Sequence, residues 1–196
     1  MYFDLDLFLL RHGDSGKITS DPSLTVSGKQ EIVMIARSIK ALKLKFDAII
    51  TSPLERAIQT ANIVAKVLGI HKEKNKITVW NELAPEGNRL RLFNKLHQFK
   101  MESTILIIGH QPYLSNLAYE IMSSGIMRKR AVGDRRATTI ILKKGGLAKV
   151  RIISLIPSIN GELRWLLTPR ILKSLVKKKV ATVQNQNQNV LQYRKI

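Results

Sequence analysis

Leu7-Phe8-Leu9-Leu10-Arg11-His12-Gly13 is a short apolar run that ends in a guanidinium, an imidazole and a glycine. An apolar run of this length, closed by a turn signal, is typical of a parallel strand covered on both faces. In open α/β sheets the ligand lies beyond the carboxyl ends of such strands. We therefore expect a strand that delivers Arg11 and His12 to a site, with Gly13 allowing the backbone to approach a ligand.

A second apolar run, over 46–51, is followed by the pattern of a helix start. Ser52 suits the N-cap position, Pro53 the first helical position and Glu55 the third position of a capping box. A helix is therefore expected to begin here. Its first turn would contain Arg56, close to the helix N-terminus.

A third apolar run, over 103–109, ends in His110. The three predicted strand ends thus bring together two arginines, two histidines and a helix N-terminus. Guanidinium groups and helix-start amides both suit phosphate oxygens, so the predicted ligand is a phosphoryl group. Histidine adds a nitrogen that can attack phosphorus. The chain has no cysteine, which excludes a thiolate mechanism, and no Gly-x-x-x-x-Gly-Lys-[Ser/Thr] loop for a nucleotide.

The rest of the chain alternates between strand and helix patterns and ends in a predicted hairpin. Strands are expected over 5–11, 46–51, 77–80, 103–109, 137–142 and 148–155, and helices over 25–42, 53–68, 90–100 and 113–122. This order predicts an α/β fold, a single-domain three-layer α/β/α sandwich whose central sheet is mostly parallel with an antiparallel edge strand.

Together these motifs resemble the histidine phosphatase superfamily, whose Arg-His-Gly hallmark corresponds to residues 11–13, and within it the SixA-type phosphohistidine phosphatases. The resemblance runs from about residue 5 to about residue 172 and implies a phosphoglycerate mutase-like fold. Supporting stretches occur in the family's order at 24–30, 51–57, 60–61, 81–85, 109–112 and 163–169.

The resemblance also implies roles for individual residues. His12 would be the nucleophile that becomes transiently phosphorylated, while Arg11, Arg56 and His110 would surround the phosphoryl oxygens and neutralise the charge of the transition state. Gly13 and Ser52 are further candidates for phosphate contacts, although the predicted N-cap already explains Ser52. Neither a metal nor a cofactor is implied.

The general acid that protonates the leaving group stays open between two carboxylates and none. Glu82 is the first candidate, because larger relatives use a glutamate after the third strand. Asp14, directly after Gly13, competes with it. The leaving imidazole of phosphohistidine is a good leaving group once protonated, so this substrate would tolerate a weak or absent protein acid.

The function expected from these residues is hydrolysis of phosphohistidine on a protein, as in a signalling phosphorelay, through a phosphohistidine on His12. The stretch between Ser52 and His110 is too short for the long insertions that form lids in sugar-phosphate mutases and phytases, so an open site is expected. A small-molecule phosphomonoester phosphatase is the alternative among enzymes. A noncatalytic basic module that binds phosphate or nucleic acid is the alternative of another class.

Charge is the second unusual feature, because 33 Lys and Arg against 14 Asp and Glu give a net charge of +19. This surface favours acidic partners and could steer an anionic phosphoprotein. We expect a catalytic domain over 1–172 and a basic, Gln/Asn-rich tail over 173–196 that is partly disordered and able to meet an acidic partner. The sequence shows neither a transmembrane segment nor a signal-peptide pattern, which predicts a cytoplasmic protein with no membrane contact. It does not indicate the oligomeric state.

Overall fold

A computed structural model describes residues 4–74, 76–123, 140–155 and 159–175. The part of the predicted hairpin over 137–139 and the tail beyond residue 175 lie outside the described residues. The strands are β1 (Leu5–Arg11), β2 (Ala48–Thr51), β3 (Ile77–Val79), β4 (Thr104–Gly109), β5 (Leu147–Ser154) and β6 (Asn160–Leu167). The helices are α1 (Val26–Ala41), α2 (Glu55–Leu68), α3 (Arg89–Leu96) and α4 (Tyr113–Met122), with a 3-10 turn at Asn81–Leu83 and a helical segment at 169–175.

The strands form one sheet in the order β3-β2-β4-β1-β5-β6. The first four are mutually parallel, whereas β5 is antiparallel to β1 and β6 is antiparallel to β5. The predicted mostly parallel sheet is therefore confirmed. Its register pairs Arg11 with Gly109 and Thr51 with Ile108, so β1, β2 and β4 end together at one edge of the sheet.

Two hydrophobic cores lie on opposite faces of the sheet, which confirms the three-layer sandwich. Side chains alternate between the faces of a strand, and in β1 Leu7 and Leu9 join one core while Phe8 and Leu10 join the other. The first core packs β1 against α3 and α4, and the second packs it against α1 and α2. Because both faces are covered, a ligand can reach the central strands only at their ends.

One of the two strands of the predicted hairpin, the one expected over 137–142, is not a strand where the structure describes it. The strand expected over 148–155 is present as β5, but residues 140–142 are not a strand. Since β5 pairs with β1 along one side and with β6 along the other, no hydrogen-bonding edge of β5 is left for another strand. The segment at 140–142 instead turns towards the site, where the Leu142 carbonyl accepts a hydrogen bond from Arg11.

Two helix boundaries also differ from the predictions. The helix expected over 90–100 ends at Leu96, because the amides of Gln98 and Phe99 bond to carbonyls three residues earlier and tighten the chain into a turn. The helix expected to start at Pro53 starts at Glu55, with Leu54 at the N-cap position and no capping side chain from Leu54. The second difference bears directly on the site.

Candidate active site

His12 stands at the end of β1 with one ring nitrogen fixed by the backbone. Its side chain is nearly buried, with 5% of the residue exposed. The Nδ1 atom lies 2.7 Å from the Gly13 carbonyl, which accepts its proton, and this leaves a lone pair on Nε2. Arg56 Nε donates to that Nε2 at 3.3 Å. Burial lowers the pKa of His12 to about 4, and the Arg56 charge adds to the effect, so the imidazole is neutral at physiological pH.

His110 faces His12 from the end of β4, and the two ring centroids are 4.9 Å apart. Only 3% of His110 is exposed, and burial, followed by His12 and Arg56, lowers its pKa to about 3. The His110 Nε2 atom lies 2.7 Å from Ser52 Oγ. Its Nδ1 atom is buried and has no hydrogen-bond partner among the described residues. A buried polar atom of this kind is usually satisfied by a ligand or water.

The N-cap role predicted for Ser52 is wrong, because α2 begins at Glu55 and Leu54 occupies the N-cap position; the Ser52 hydroxyl instead lies beside His110. Ser52 Oγ also accepts from the Leu54 amide at 3.4 Å, and Leu54 has the extended backbone angles of an N-cap residue. The free amide of Glu55 at the helix start donates instead to both carboxylate oxygens of Asp21, each at 3.0 Å. Asp21, a loop residue, therefore caps α2, and the Ser52 hydroxyl is hydrogen-bonded to the imidazole of His110.

Two guanidinium groups lie beside the histidines. Arg11 Nη1 donates to the Leu142 carbonyl at 2.9 Å, while Arg11 Nε is buried without a hydrogen-bond partner in the described part of the chain. Arg56 links His12 to Asp21, whose carboxylate is 3.5 Å from Arg56 Nη1. Each arginine keeps N–H groups that these contacts do not use. Planar guanidinium donors beside a neutral imidazole form a suitable site for a phosphoryl dianion.

A side chain at position 13 would clash with helix α1, so packing requires a glycine there. A Cβ atom at this position would lie 2.7 Å from Ile32 Cγ1 and 3.1 Å from the Gly28 carbonyl, both in α1. The Gly13 amide donates to Thr60 Oγ1 at 3.3 Å. We expected a ligand to lie close to the Gly13 backbone, but the atoms that lie close to it belong to helix α1. A phosphate contact by Gly13 stays a prediction.

Both carboxylates considered as the general acid form ion pairs. Glu82 lies 2.8 Å from Lys95 Nζ, and Asp14 lies 2.6 Å from Lys144 Nζ. Hydrogen bonds to these lysines are the main cause of a lowered pKa for each carboxyl, so both are ionised near neutral pH. Among the described residues no hydrogen bond joins Glu82 to His12 or His110.

Two charged residues at the site were not singled out from the sequence. Asp21 holds Arg56 and caps α2, and Lys144 contributes to the positive potential that lowers the pKa of His12. Asp21 lies in the loop before α1, and Lys144 lies in the turn before β5. No local motif connects either residue with His12, because the fold alone brings these segments together.

The described residues contain no group of three or more His, Asp or Glu side chains placed to hold a metal ion. Within the same residues, no helix is long and apolar enough to cross a membrane.

Comparisons with known proteins agree with this site. The histidine phosphatase superfamily (branch 1) matches residues 7–84. An uncharacterized protein of Picosynechococcus is 32% identical over 125 residues, which cover 60% of this chain and 73% of the relative. The phosphohistidine phosphatase SixA of Escherichia coli is 28% identical over 122 residues, covering 60% of this chain and 74% of that protein.

A solved structure shows the same likeness over more of the chain. The protein histidine phosphatase SixA complexed with tungstate superposes with a TM-score of 0.68 at 26% identity, covering 86% of this chain and 99% of the other. The chain belongs to the histidine phosphatase superfamily. Within that superfamily it is SixA-like, and it is a phosphatase of the histidine phosphatase type.

Proposed function

We propose that this phosphatase hydrolyses phosphohistidine on a protein and carries the phosphoryl group transiently on His12. The observation that carries the proposal is the state of His12: it is buried and neutral, its Nδ1 proton is held by the Gly13 carbonyl, and its Nε2 lone pair lies beside Arg56. Activated nucleophiles of enzymes are positioned in this way.

In the first step, the Nε2 lone pair of His12 attacks the phosphorus atom. The bond between phosphorus and the substrate imidazole breaks, and the released nitrogen keeps the bonding electron pair. The imidazole leaves as a neutral molecule, because its other ring nitrogen already carries a proton taken from solvent. In the second step, a water oxygen attacks the phosphorus on His12 and the P–Nε2 bond breaks. Inorganic phosphate is released, one water proton passes to phosphate or solvent, and the His12 lone pair is restored.

Arg11, Arg56 and His110 stabilise the charge of both steps. The unpartnered Arg11 Nε and His110 Nδ1 are available to phosphoryl oxygens without breaking another hydrogen bond of the described structure. Arg56 lies beside the attacking nitrogen, and Ser52 fixes the ring of His110. Donors that are already oriented need little reorganisation when charge develops, which is the main source of such stabilisation.

The preference for phosphohistidine over a phosphoester is supported by the ionised state of Glu82 and Asp14. Hydrogen bonds to Lys95 and Lys144 lower the pKa of these carboxyls further below neutral pH, so neither carries a proton to donate there. An alkoxide leaving group requires a proton donor, whereas a protonated imidazole leaves readily on its own. Glu82 and Asp14 remain candidate acids for substrates with poorer leaving groups.

The experiment that tests the proposal is release of inorganic phosphate from a phosphohistidine-bearing protein and from an aryl phosphate. It compares the native chain with His12→Ala and with the control His71→Ala, which changes an exposed histidine at the opposite edge of the sheet. We expect rapid release from phosphohistidine that is lost in His12→Ala and kept in His71→Ala.

The other outcomes separate the remaining functions. Turnover of the aryl phosphate alone would favour a small-molecule phosphomonoester phosphatase. Failure to cleave either substrate would favour a noncatalytic phosphate-binding module. Full activity in His12→Ala would exclude the covalent intermediate.

We also propose that the catalytic unit includes the helical segment at 169–175. Leu172 is buried in the core with α1 and α2, and Lys173 Nζ lies 2.7 Å from Glu31. A chain ending after residue 175 is therefore expected to keep its aryl phosphate turnover and its Tm. A chain ending after residue 168 should lose several degrees of Tm, because it no longer buries Leu172.

A further inference from the structure

A cleft of about 580 Å³ lies next to the phosphoryl site and is lined largely by cations. Its lining residues are Arg11, Glu31, Lys143, Lys144, Thr168, Pro169 and Arg170. Glu31 is neutralised by Lys173, and Lys144 is paired with Asp14. Within the described residues, Lys143 and Arg170 have no ion pair, so the cleft presents unbalanced positive charge to solvent.

Two exposed isoleucines are close to these cations in the sequence. Ile141 is 70% exposed and lies two residues before Lys143, and Ile171 is 45% exposed and follows Arg170. Protein interfaces combine apolar side chains with arginine in this manner. An inorganic anion or a nucleic-acid backbone would gain little from the isoleucines, whereas an acidic protein face with apolar residues would contact both kinds of group.

The turn that carries Lys143 and Lys144 is attached directly to the catalytic strand end. The Gly145 amide donates to the carbonyls of Arg11 and His12 at 3.0 and 3.2 Å, and the Arg11 amide donates to the Gly146 carbonyl at 3.1 Å. A protein that rests on this turn is therefore adjacent to His12. The cleft and the nucleophile are positioned by the same hydrogen bonds.

We propose that Ile141, Lys143, Arg170 and Ile171 form a docking surface for an acidic, partly apolar face of the protein that carries the phosphohistidine. This inference rests on the proposed function for the identity of the partner. Electrostatic complementarity at such a surface mainly raises the rate of encounter and selects among partners. The surface thus supplies substrate preference, and the phosphoryl site supplies the chemistry.

The test measures binding separately from turnover. Two labelled, unphosphorylated peptides of equal length each contain one histidine and two leucines, flanked by Asp and Glu in one and by Asn and Gln in the other. Fluorescence anisotropy at low salt gives their affinities for the native chain, for Lys143→Glu/Arg170→Glu and for Lys45→Glu/Lys72→Glu. The last variant makes the same change in net charge with exposed lysines at the opposite edge of the sheet.

We expect the native chain to bind the acidic peptide about tenfold more tightly than the neutral peptide, as two exposed ion pairs allow. The preference should disappear in Lys143→Glu/Arg170→Glu and persist in the control variant. Aryl phosphate turnover should be equal in all three proteins. Raising the salt concentration should weaken the preference, because the charges are exposed.

Equal affinity of the native chain for the two peptides would overturn the proposal, as would an equal loss in the control variant. Tighter binding of a single-stranded oligonucleotide that is lost in the same cleft variant would replace the protein partner by nucleic acid and also overturn it. If phosphohistidine is not hydrolysed while aryl phosphate is, the proposed function fails. The peptide affinities still decide whether the docking surface exists.

Discussion

The ends of β1 and β4 carry the same residue type in neighbouring, paired strands, yet their histidines are bonded in opposite ways. The Nδ1–H of His12 donates a hydrogen bond to the Gly13 carbonyl, and its Nε2 lies beside the Arg56 guanidinium. His110 has its Nε2 tied to Ser52 and leaves Nδ1 without a partner among the described residues. Both are nearly buried, and both have a lowered pKa.

In the proposed mechanism, the partner of one ring nitrogen separates the nucleophile His12 from the binding group His110. A histidine held at Nδ1 presents its Nε2 lone pair for bond formation, and in the proposed mechanism the neighbouring Arg56 is the cation for a phosphoryl oxygen. A histidine held at Nε2 by a hydroxyl keeps its ring fixed and offers the other nitrogen to an oxygen. The two strand ends are therefore similar in sequence and unequal in chemistry.

The largest expected effect comes from removing the nucleophile. His12→Asn should lower kcat for phosphohistidine by at least about 10⁴-fold, because no covalent intermediate can form. Rapid-quench measurements should detect no phosphoenzyme in this variant. If His12→Asn and His110→Asn lost activity equally and both still formed phosphoenzyme, the two histidines would not differ in role.

A smaller loss is expected at the other strand end. His110→Asn should lower kcat by about 10²- to 10³-fold, the usual effect of removing one preorganised donor from a transition state. The variant should still accumulate phosphoenzyme on His12, only more slowly. Absence of any phosphoenzyme would show that His110 takes part in bond formation.

Acid pH should lower the free energy of unfolding of the chain through the histidines at both strand ends. The pKa is about 4 for His12 and about 3 for His110, below the value of about 6.5 for an unfolded histidine. The unfolded chain therefore binds more protons between these values, and stability falls as the pH decreases from about 6.5 towards 4. Each histidine contributes a slope of up to about 1.4 kcal/mol per pH unit.

Urea unfolding at several pH values measures this slope. The slope should be shallower in His12→Asn than in the native chain, since one titrating group is gone. An unchanged slope would mean that His12 is not held in its neutral form. Residue-specific NMR titration of the His12 ring should show the Nδ1–H tautomer at pH 6.

The Asp21 contact should give a moderate effect, because it acts through Arg56. Asp21→Asn is expected to lower kcat/KM about fivefold and to lower stability by up to about 1 kcal/mol through loss of a charged cap on α2. Asp47→Asn, in an exposed carboxylate at the opposite edge, is the matched control for charge. A change in Tm without a change in kcat/KM would restrict Asp21 to a structural role.

The smallest effect is expected at Glu82. Because Lys95 keeps this carboxyl ionised, Glu82→Gln should change kcat for phosphohistidine by less than about threefold, a size typical of lost peripheral contacts rather than lost acid catalysis. Alkyl phosphate turnover, measured in parallel, should respond more strongly if Glu82 serves poorer leaving groups. A hundredfold loss on phosphohistidine would assign the general acid to Glu82.

Much of the fold was predictable because the strands of the parallel region are strongly apolar. Their ends therefore identified His12 and His110, and the register of the sheet brings these residues together. The partner of β5 was not predictable, since Asn160–Leu167 contains Gly161, Glu162 and Arg164 and lacks the apolar run of the other strands. Pattern recognition instead favoured the more apolar segment at 137–142.

The site was less predictable wherever contacts are long-range. Ser52 matched a capping pattern, but the approach of His110 and the supply of a cap by Asp21 gave it a different partner. The lysines that pair with Glu82 and Asp14 lie on other elements, so the lowered pKa of both carboxyls depends on tertiary structure. Residue identity at a strand end was readable from the sequence, whereas hydrogen-bond partners were not.

Locating the phosphoryl group in the trapped intermediate would show directly whether His12 is the nucleophile. The native chain is mixed with a phosphohistidine-bearing protein, quenched in alkali and digested, and the phosphopeptide is identified by mass spectrometry and ³¹P NMR. We predict a single phosphohistidine, on Nε2 of His12. A phosphoryl group on His110, on Nδ1 of His12 or on no residue during turnover would contradict the account.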